Sequence, residues 1–205
     1  MPPVLPVDIN TVKGFLAEDE GEALFQHCLA TAALGPCLEV GSYCGKSTIY
    51  LGAAAKTRNN IVYAVDHHRG SEEHQLGEAY HDPDLYDSGV KLMDSFREFR
   101  INMRKADLEQ TVVPIVSPSA VASRHWATPL GMVFIDGGHS WEAALTDYRS
   151  WVTHIVTGGI LAIHDIFPDP SKGGQAPYDI WKLAKASGLF EELPMVNTLG
   201  LFRRV

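Results

Sequence analysis

Short apolar runs recur along the chain and stop on a glycine or an acid: Cys37 to Gly41, Ile61 to Asp66, Gly131 to Asp136 and Gly159 to Asp165. A run that is apolar at consecutive positions, rather than at alternate ones, reads as a strand buried on both faces. Between the runs, segments such as Ser47 to Lys56 and Ser140 to Val152 carry their apolar residues at helical spacing. This alternation restricts the chain to an α/β fold: a mostly parallel sheet with helices on both sides. Right-handed crossovers put the C-terminal end of every parallel strand on one rim, so Gly41, Asp66, Ser117, Asp136 and Asp165 are expected to converge there.

The remaining elements fill in around that sheet. Thr11 to Leu34 reads as one or two helices, stopped by Gly35-Pro36. His67 to Asp87 is a long polar stretch with four histidines (His67, His68, His74, His81), read as a lid or substrate cover. A helix is expected from near Ser88 to about Leu108, turning Val90, Met93, Phe96, Phe99, Ile101 and Met103 inward. Thr111 to Val116 is a further strand, and Ser119 to Trp126 a short helix. Ile166 to Pro177 is a loop on the functional rim, followed by a helix from about Tyr178 to Ser187. The tail from Phe190 reads as two antiparallel strands about Asn197-Thr198. The 205 residues make one domain, 1–205, with helices before residue 35 and the lid at 67–87.

Charge and cysteine content narrow the function. The net charge is −8, and no basic run offers the attraction that nonspecific nucleic-acid binding needs. No window is long and apolar enough for a membrane span, and Cys28, Cys37 and Cys44 have neither disulfide nor zinc-motif spacing. A cytoplasmic protein with a small-molecule or oligosaccharide partner is expected, with nucleic acid and membrane excluded. Nothing in the composition bars a homo-oligomer.

The first chemical constellation is Glu39-x-Gly41-x-x-x-Gly45-x-Ser47, with Asp66 closing the next strand. Glycine at 41 and 45 lets the backbone bend with positive φ and lets a ligand approach closely. An acid at the end of the second strand can accept hydrogen bonds from the vicinal hydroxyls of a ribose. Taken alone, the two glycines would make only a tight turn. A dinucleotide fingerprint is excluded by Tyr43, and a phosphate-binding loop is one residue short, although Gly45-Lys46-Ser47 and the strand ending at Asp136 keep a P-loop NTPase as the rival.

The turn resembles the E-x-G-x-x-x-G of class I S-adenosylmethionine-dependent methyltransferases, and the resemblance extends over nearly the whole chain. It implies a Rossmann-like, doubly wound sheet of seven strands, the last inserted antiparallel. It implies that Gly41, Ser42, Tyr43 and Ser47 line the methionine end of S-adenosylmethionine, that Glu39 supports the turn and that Asp66 binds the ribose. Ser117 and Ser119 match the segment beside the adenine.

The second constellation is Asp136-Gly137-Gly138-His139, with His164-Asp165 ending the next strand. Carboxylates on neighbouring strand ends can hold a hard cation such as Mg²⁺, which favours ionisation of a bound hydroxyl, and His139 is placed to take the proton. Without a metal, Asp136 would merely touch the cofactor and His139 would cap the following helix. The pattern is similar to that of metal-dependent sugar O-methyltransferases acting on macrolide glycosides. The resemblance implies Asp136 and Asp165 as metal ligands, with Asp136 also at the cofactor, and His139 as the base. Those relatives carry Glu-Asp where this chain has His164-Asp165, so the third ligand is left open. The run Asp66-His67-His68-Arg69-Gly70-Ser71 and the small size point to a bacterial carbohydrate modifier, and the resemblance to sugar methyltransferases implies a mannoside among the acceptors. A catechol-like hydroxyl is the alternative acceptor, and a non-catalytic S-adenosylmethionine-binding protein the alternative class. Trp126, Trp141, Trp151 and Trp181 are read as core rather than as a sugar platform.

Overall fold

A computed structural model describes residues 2–71, 74, 75, 77 and 81–205. Its helices are α1 (Glu18–Thr31), α2 (Lys46–Thr57), α3 (Phe96–Lys105), α4 (Ser119–Ala122), α5 (Trp141–Trp151) and α6 (Ala176–Ala186). Its strands are β1 (Cys37–Val40), β2 (Val62–Asp66), β3 (Tyr86–Asp87), β4 (Leu92–Met93), β5 (Val112–Val116), β6 (Leu130–Ile135), β7 (Ile155–Ile163), β8 (Phe190–Val196) and β9 (Leu199–Arg204). Seven of the strands form one sheet in the order β5-β2-β1-β6-β7-β9-β8, while β3 and β4 make a separate hairpin. Pairing from β5 through β7 is parallel; β9 is antiparallel to both of its neighbours. This is the sheet the resemblance implied, with the last strand inserted antiparallel.

Successive residues of the central strands feed opposite cores, as a pleated strand requires. Met132, Phe134, Ile160 and Ala162 pack on the side of α1, α2 and α3. Val133, Ile135, Leu161 and Ile163 pack on the side of α5 and α6. Full burial of each such side chain is worth roughly 1.5–3 kcal/mol, and continuous burial on two faces explains the unbroken apolar runs. The sheet edge behaves differently: Val113 and Val116 of β5 are exposed, so that strand is not covered on both sides.

One α-helix precedes β1, within the one or two expected, and a 3-10 turn at Ile9–Thr11 stands before it. One boundary differs from expectation, the start of α3. The helix expected from Ser88 begins at Phe96, because residues 86–93 fold into the β3–β4 hairpin and Val90 is exposed. The marker of the true start is Asp94, whose Oδ1 accepts the Phe96 amide at 3.0 Å, a local turn that leads the chain into the helix. The lid reading of 67–87 falls partly on residues outside the described set; within that set, Asp82 caps a 3-10 turn at Pro83–Leu85. All three cysteines are free and buried. Trp151 is fully buried with Trp126 edge-on against it, whereas Trp141 is exposed. Among the described residues no helix is long and apolar enough to cross a membrane.

Candidate active site

The strand ends converge as the topology requires. Gly41, Asp66, Ser117, Asp136 and Asp165 all line one cavity of about 620 Å³ at the C-terminal rim of the sheet.

One end is built on the β1–α2 turn. Gly41 (φ 84°), Tyr43 (φ 46°) and Gly45 (φ 91°) take left-handed backbone conformations. At Gly41 a Cβ would overlap the Asp136 carbonyl, so only glycine lets the turn lie against the end of β6. Asp66 fixes the turn from the next strand: its Oδ2 accepts the amides of Ser42 (2.9 Å) and Tyr43 (2.8 Å), and its Oδ1 that of His68 (2.6 Å). The amides that a phosphate-binding loop would present to an anion are therefore already held by a carboxylate, and the Lys46 ammonium is bonded to the Gly14 carbonyl at 3.3 Å. This turn favours a cationic or neutral ligand over a polyphosphate.

Glu39 does not line the cavity. It is fully buried and accepts hydrogen bonds from the Ser47 and Thr48 hydroxyls, which anchors the first turn of α2 to β1. Burial pushes its carboxyl up to about 7, against the pull of those hydroxyls. Ser47 lines the cavity from that turn, as do Ser42 and Tyr43. Ser117 and Ser119 lie on the β5–α4 side of the same cavity; Ser119 accepts the Trp151 indole N–H at 3.0 Å.

The opposite constellation also assembles. Asp136, His139 and Asp165 offer ligand atoms that all lie within 4.8 Å of one another. His139 Nε2 sits 3.2 Å from Asp165 Oδ2. Asp165 adopts φ 59°, a left-handed conformation rare outside glycine but tolerated best by Asp and Asn. The helix after His139 is capped by Ser140, whose Oγ accepts the Ala143 amide, so His139 is not needed as a cap.

His164, whose place in the metal set the sequence left open, is 5% exposed. Its Nδ1 lies 3.1 Å from Asp136 Oδ1 and 3.4 Å from Asp165 Oδ2, while its Nε2 lies 2.9 Å from Glu20 Oε2. Glu20, on α1, also accepts the Ala17 amide and both the amide and hydroxyl of Thr198. Both ring nitrogens thus face carboxylates, and both act as donors, which makes the ring an imidazolium. Burial alone would lower its pKa; the surrounding Asp136, Asp165 and Glu20 carboxylates raise it far above the usual histidine range. Burial would raise the Asp165 carboxyl, but hydrogen bonds from His139 and His164 hold it below the usual carboxylate range. Glu20 is likewise held down at about 2, burial being outweighed by His164 and Thr198. His164, itself part of the cavity wall, therefore braces the two aspartates.

Sequence reasoning did not find Glu20 or Asp147. Glu20 looks like an ordinary first-turn acid of a helix, and its partners lie at the far end of the chain. Asp147, on α5, is buried and lines the cavity; its helical position resembles a solvated face in the sequence. Burial pushes its carboxyl up to about 6, partly offset by a hydrogen bond with Ser119.

The sequence profile of a family described as a methyltransferase domain matches residues 38–166, from β1 to just past β7, which takes in the turn, Asp66 and the Asp136–His139–Asp165 group. The chain belongs to this methyltransferase domain family. Among solved structures it is similar to the O-methyltransferase NovP, at 18% identity and TM-score 0.69, over 92% of this chain and 81% of that one. It is similar to the cofactor-bound Rv0187 from MTB, at 15% identity and TM-score 0.66, over 95% and 84%. A third is the O-methyltransferase from Bacillus cereus in complex with SAH, at 14% identity and TM-score 0.66, over 95% and 85%. At these identities the likeness is one of fold.

Proposed function

We propose that this protein transfers the methyl group of S-adenosylmethionine to a hydroxyl oxygen. The observation that carries the reading is the meeting of Asp136, His139 and Asp165 on one wall of the cavity that also contains the glycine turn and Asp66. The methionine end of the cofactor fits against Gly41, Ser42, Tyr43 and Ser47, and Asp66, whose oxygens retain lone pairs beyond the three amides, accepts the ribose hydroxyls. The likeness in fold to the O-methyltransferase NovP and to the SAH-bound O-methyltransferase from Bacillus cereus supports the same reading.

In the reaction the acceptor oxygen attacks the methyl carbon in line with the sulfur. The new O–C bond forms as the S–C bond breaks, and the sulfur keeps the electron pair as a neutral thioether. His139 takes the hydroxyl proton, and the resulting imidazolium sits against Asp165. Catalysis is chiefly alignment of oxygen, carbon and sulfur.

The donor set suits a divalent cation: two carboxylates and an imidazole within bonding reach of a common point. Asp136 and Asp165 would hold Mg²⁺ or a similar ion, which when bound favours the ionised form of an acceptor hydroxyl. His164 is committed to Glu20 and to these aspartates, so it braces the ligands and is not one of them.

For the acceptor we propose a saccharide, with a mannoside the first to test; the Asp-x-x-His pattern and the polar cavity residues Lys13, His67 and Ser71 support it. The stacked pair Phe15 and Tyr43, 6.3 Å apart beside the cavity, favours a planar catechol-like acceptor as the second reading. The test is an acceptor screen of mannosides against catechols with mass-spectrometric detection of methyl transfer, the new methyl then being located by NMR. Methylation of a sugar hydroxyl supports the first reading, and methylation of catechols alone replaces it with the second. Transfer to nitrogen or carbon only would end both.

A further inference from the structure

His68 falls in the stretch expected to form a polar lid, yet it is buried. The rings of Phe96 and Phe99, on the first turn of α3, flank its imidazole with centroids at 5.0 and 5.3 Å. Its Nδ1 lies 2.9 Å from the hydroxyl of Ser95, the residue before α3, and its carbonyl accepts the Ser95 amide at 3.2 Å. Its own amide donates to Asp66 Oδ1 at 2.6 Å, a side-chain turn at the end of β2. Ring, carbonyl and amide of this one residue are thus each fixed, and through it α3 is joined to the carboxylate that closes β2.

Two features of His68 cost free energy. Its φ is 57°, a left-handed conformation uncommon in residues other than glycine. Among the described residues its buried Nε2 has no partner, and a hydrogen bond left unmade in the interior is unfavourable. A side chain that only filled the space between two phenylalanines would be a hydrocarbon, free of the second cost. Strain of this kind persists where the surroundings over-determine it, most often beside a functional group. Here that group is Asp66. His68 Nδ1 stands 4.0 Å from Asp66 Oδ2, beyond hydrogen-bond distance, and His68 is not part of the cavity wall that Asp66, His67 and Ser95 line. It acts through its backbone: the Ser42 and Tyr43 amides hold one oxygen of the carboxylate and the His68 amide holds the other.

We propose that His68 is a positioning residue, which holds the Asp66 carboxylate in the orientation that receives the two ribose hydroxyls of the cofactor. The assignment rests on the reading of Asp66 as the ribose-binding acid. A histidine that only filled its pocket would govern stability and leave the choice of ligand untouched.

Calorimetry distinguishes the two, using S-adenosylhomocysteine and its 2′,3′-dideoxy analogue. The wild-type protein is expected to prefer the hydroxyl-bearing nucleoside by at least about 10-fold, the worth of a hydrogen bond to a charged acceptor. His68→Phe keeps a ring between Phe96 and Phe99 but loses the Ser95 bond and disfavours the left-handed backbone. Its preference should fall below about 3-fold, with affinity for the dideoxy analogue unchanged. His68→Asn gives up that packing but tolerates the left-handed backbone, and should retain most of the preference. Ser95→Ala, a one-atom truncation that also frees the ring, should lower the preference by about 3-fold. A preference undiminished in whichever of His68→Phe and Ser95→Ala folds, or one lost in His68→Asn and kept in His68→Phe, overturns the assignment and leaves Asp66 as the ribose acid. Equal binding of both nucleosides by the wild-type protein overturns the reading of Asp66 as well, and binding of neither overturns the cofactor reading.

Discussion

Glu20 and His164 stand 144 positions apart in the chain, and their side chains meet in the interior with Oε2 2.9 Å from Nε2. Both are almost fully buried. Removing one partner strands the other's charge away from water, which costs about 3–5 kcal/mol. Glu20→Gln keeps the shape and, in its amide oxygen, an acceptor for Thr198, so a loss at the lower end, about 3 kcal/mol, is expected in urea denaturation near pH 6. A loss below 0.5 kcal/mol, roughly the scale of an ordinary surface change, would show that the pair is not the brace described.

The same groups fix how stability varies with pH. Glu20 moves from 4.5 to about 2 on folding, so its contribution is complete above 4.5 and disappears as pH falls towards 2. His164 is raised from 6.5, so its contribution is complete below 6.5 and declines as pH rises beyond that. Glu39 moves from 4.5 up to about 7, and it therefore opposes folding increasingly between those values. Together they place maximum stability at about pH 5, with a decline on the alkaline side. Midpoints of urea unfolding from pH 4 to 9 should trace that shape, and Glu20→Gln should flatten both limbs. A steady rise from pH 5 to 8 would contradict the assignment.

His139 tests the chemistry. His139→Ala should leave S-adenosylhomocysteine affinity nearly intact and lower the single-turnover methylation rate by about two to four orders of magnitude, the usual worth of a positioned base. An unchanged rate removes His139 from that role.

The cation is tested by its withdrawal. Excess chelator should abolish methyl transfer, and Mg²⁺ should restore it; Asp165→Asn, which keeps the left-handed backbone at that position, should raise the cation concentration needed for half-restoration. Full activity in excess chelator would mean that Asp136 and Asp165 serve the acceptor directly.

Asp66 and Lys46 separate the two ligand classes considered for the turn. Asp66→Ala removes the acceptor for the Ser42, Tyr43 and His68 amides and should weaken S-adenosylmethionine binding by at least 100-fold, on the order of two lost charge-assisted bonds. Lys46→Ala, which removes the long, part-buried bond to the Gly14 carbonyl, should change it less than about 3-fold, the worth of one weak bond. Calorimetry reads both. Tight ATP binding lost on Lys46→Ala would reverse the assignment.

Much of this site was legible because parallel sheets write themselves into sequence locally. Apolar runs closed by Gly41, Asp66, Asp136 and Asp165 state both the strands and the rim on which they end, and the spacing of Gly41 and Gly45 states the turn. The start of α3 was misread because Val90, Met93 and Phe96 fall at helical spacing by coincidence, while the β3–β4 hairpin and the turn at Asp94 outweigh that pattern. The contacts of Glu20, Thr198 and Asp147 were invisible for another reason. Each depends on tertiary approach between distant segments, and no short-range pattern distinguishes a buried acid on a helix from a solvated one.

The family match begins at residue 38 and ends at 166, whereas the carboxylate that neutralises His164 comes from α1 and is itself held by Thr198, in the hairpin after α6. An excised 38–166 fragment would retain the glycine turn, Asp66 and the Asp136–His139–Asp165 group and lack the counter-ion beneath them. The two extremities of the polypeptide thus act as a clasp around the reaction centre: a recombination that exchanges the first end leaves the inner face of the His164 ring without its counter-ion, and one that exchanges the second leaves Glu20 without the Thr198 donors that hold it.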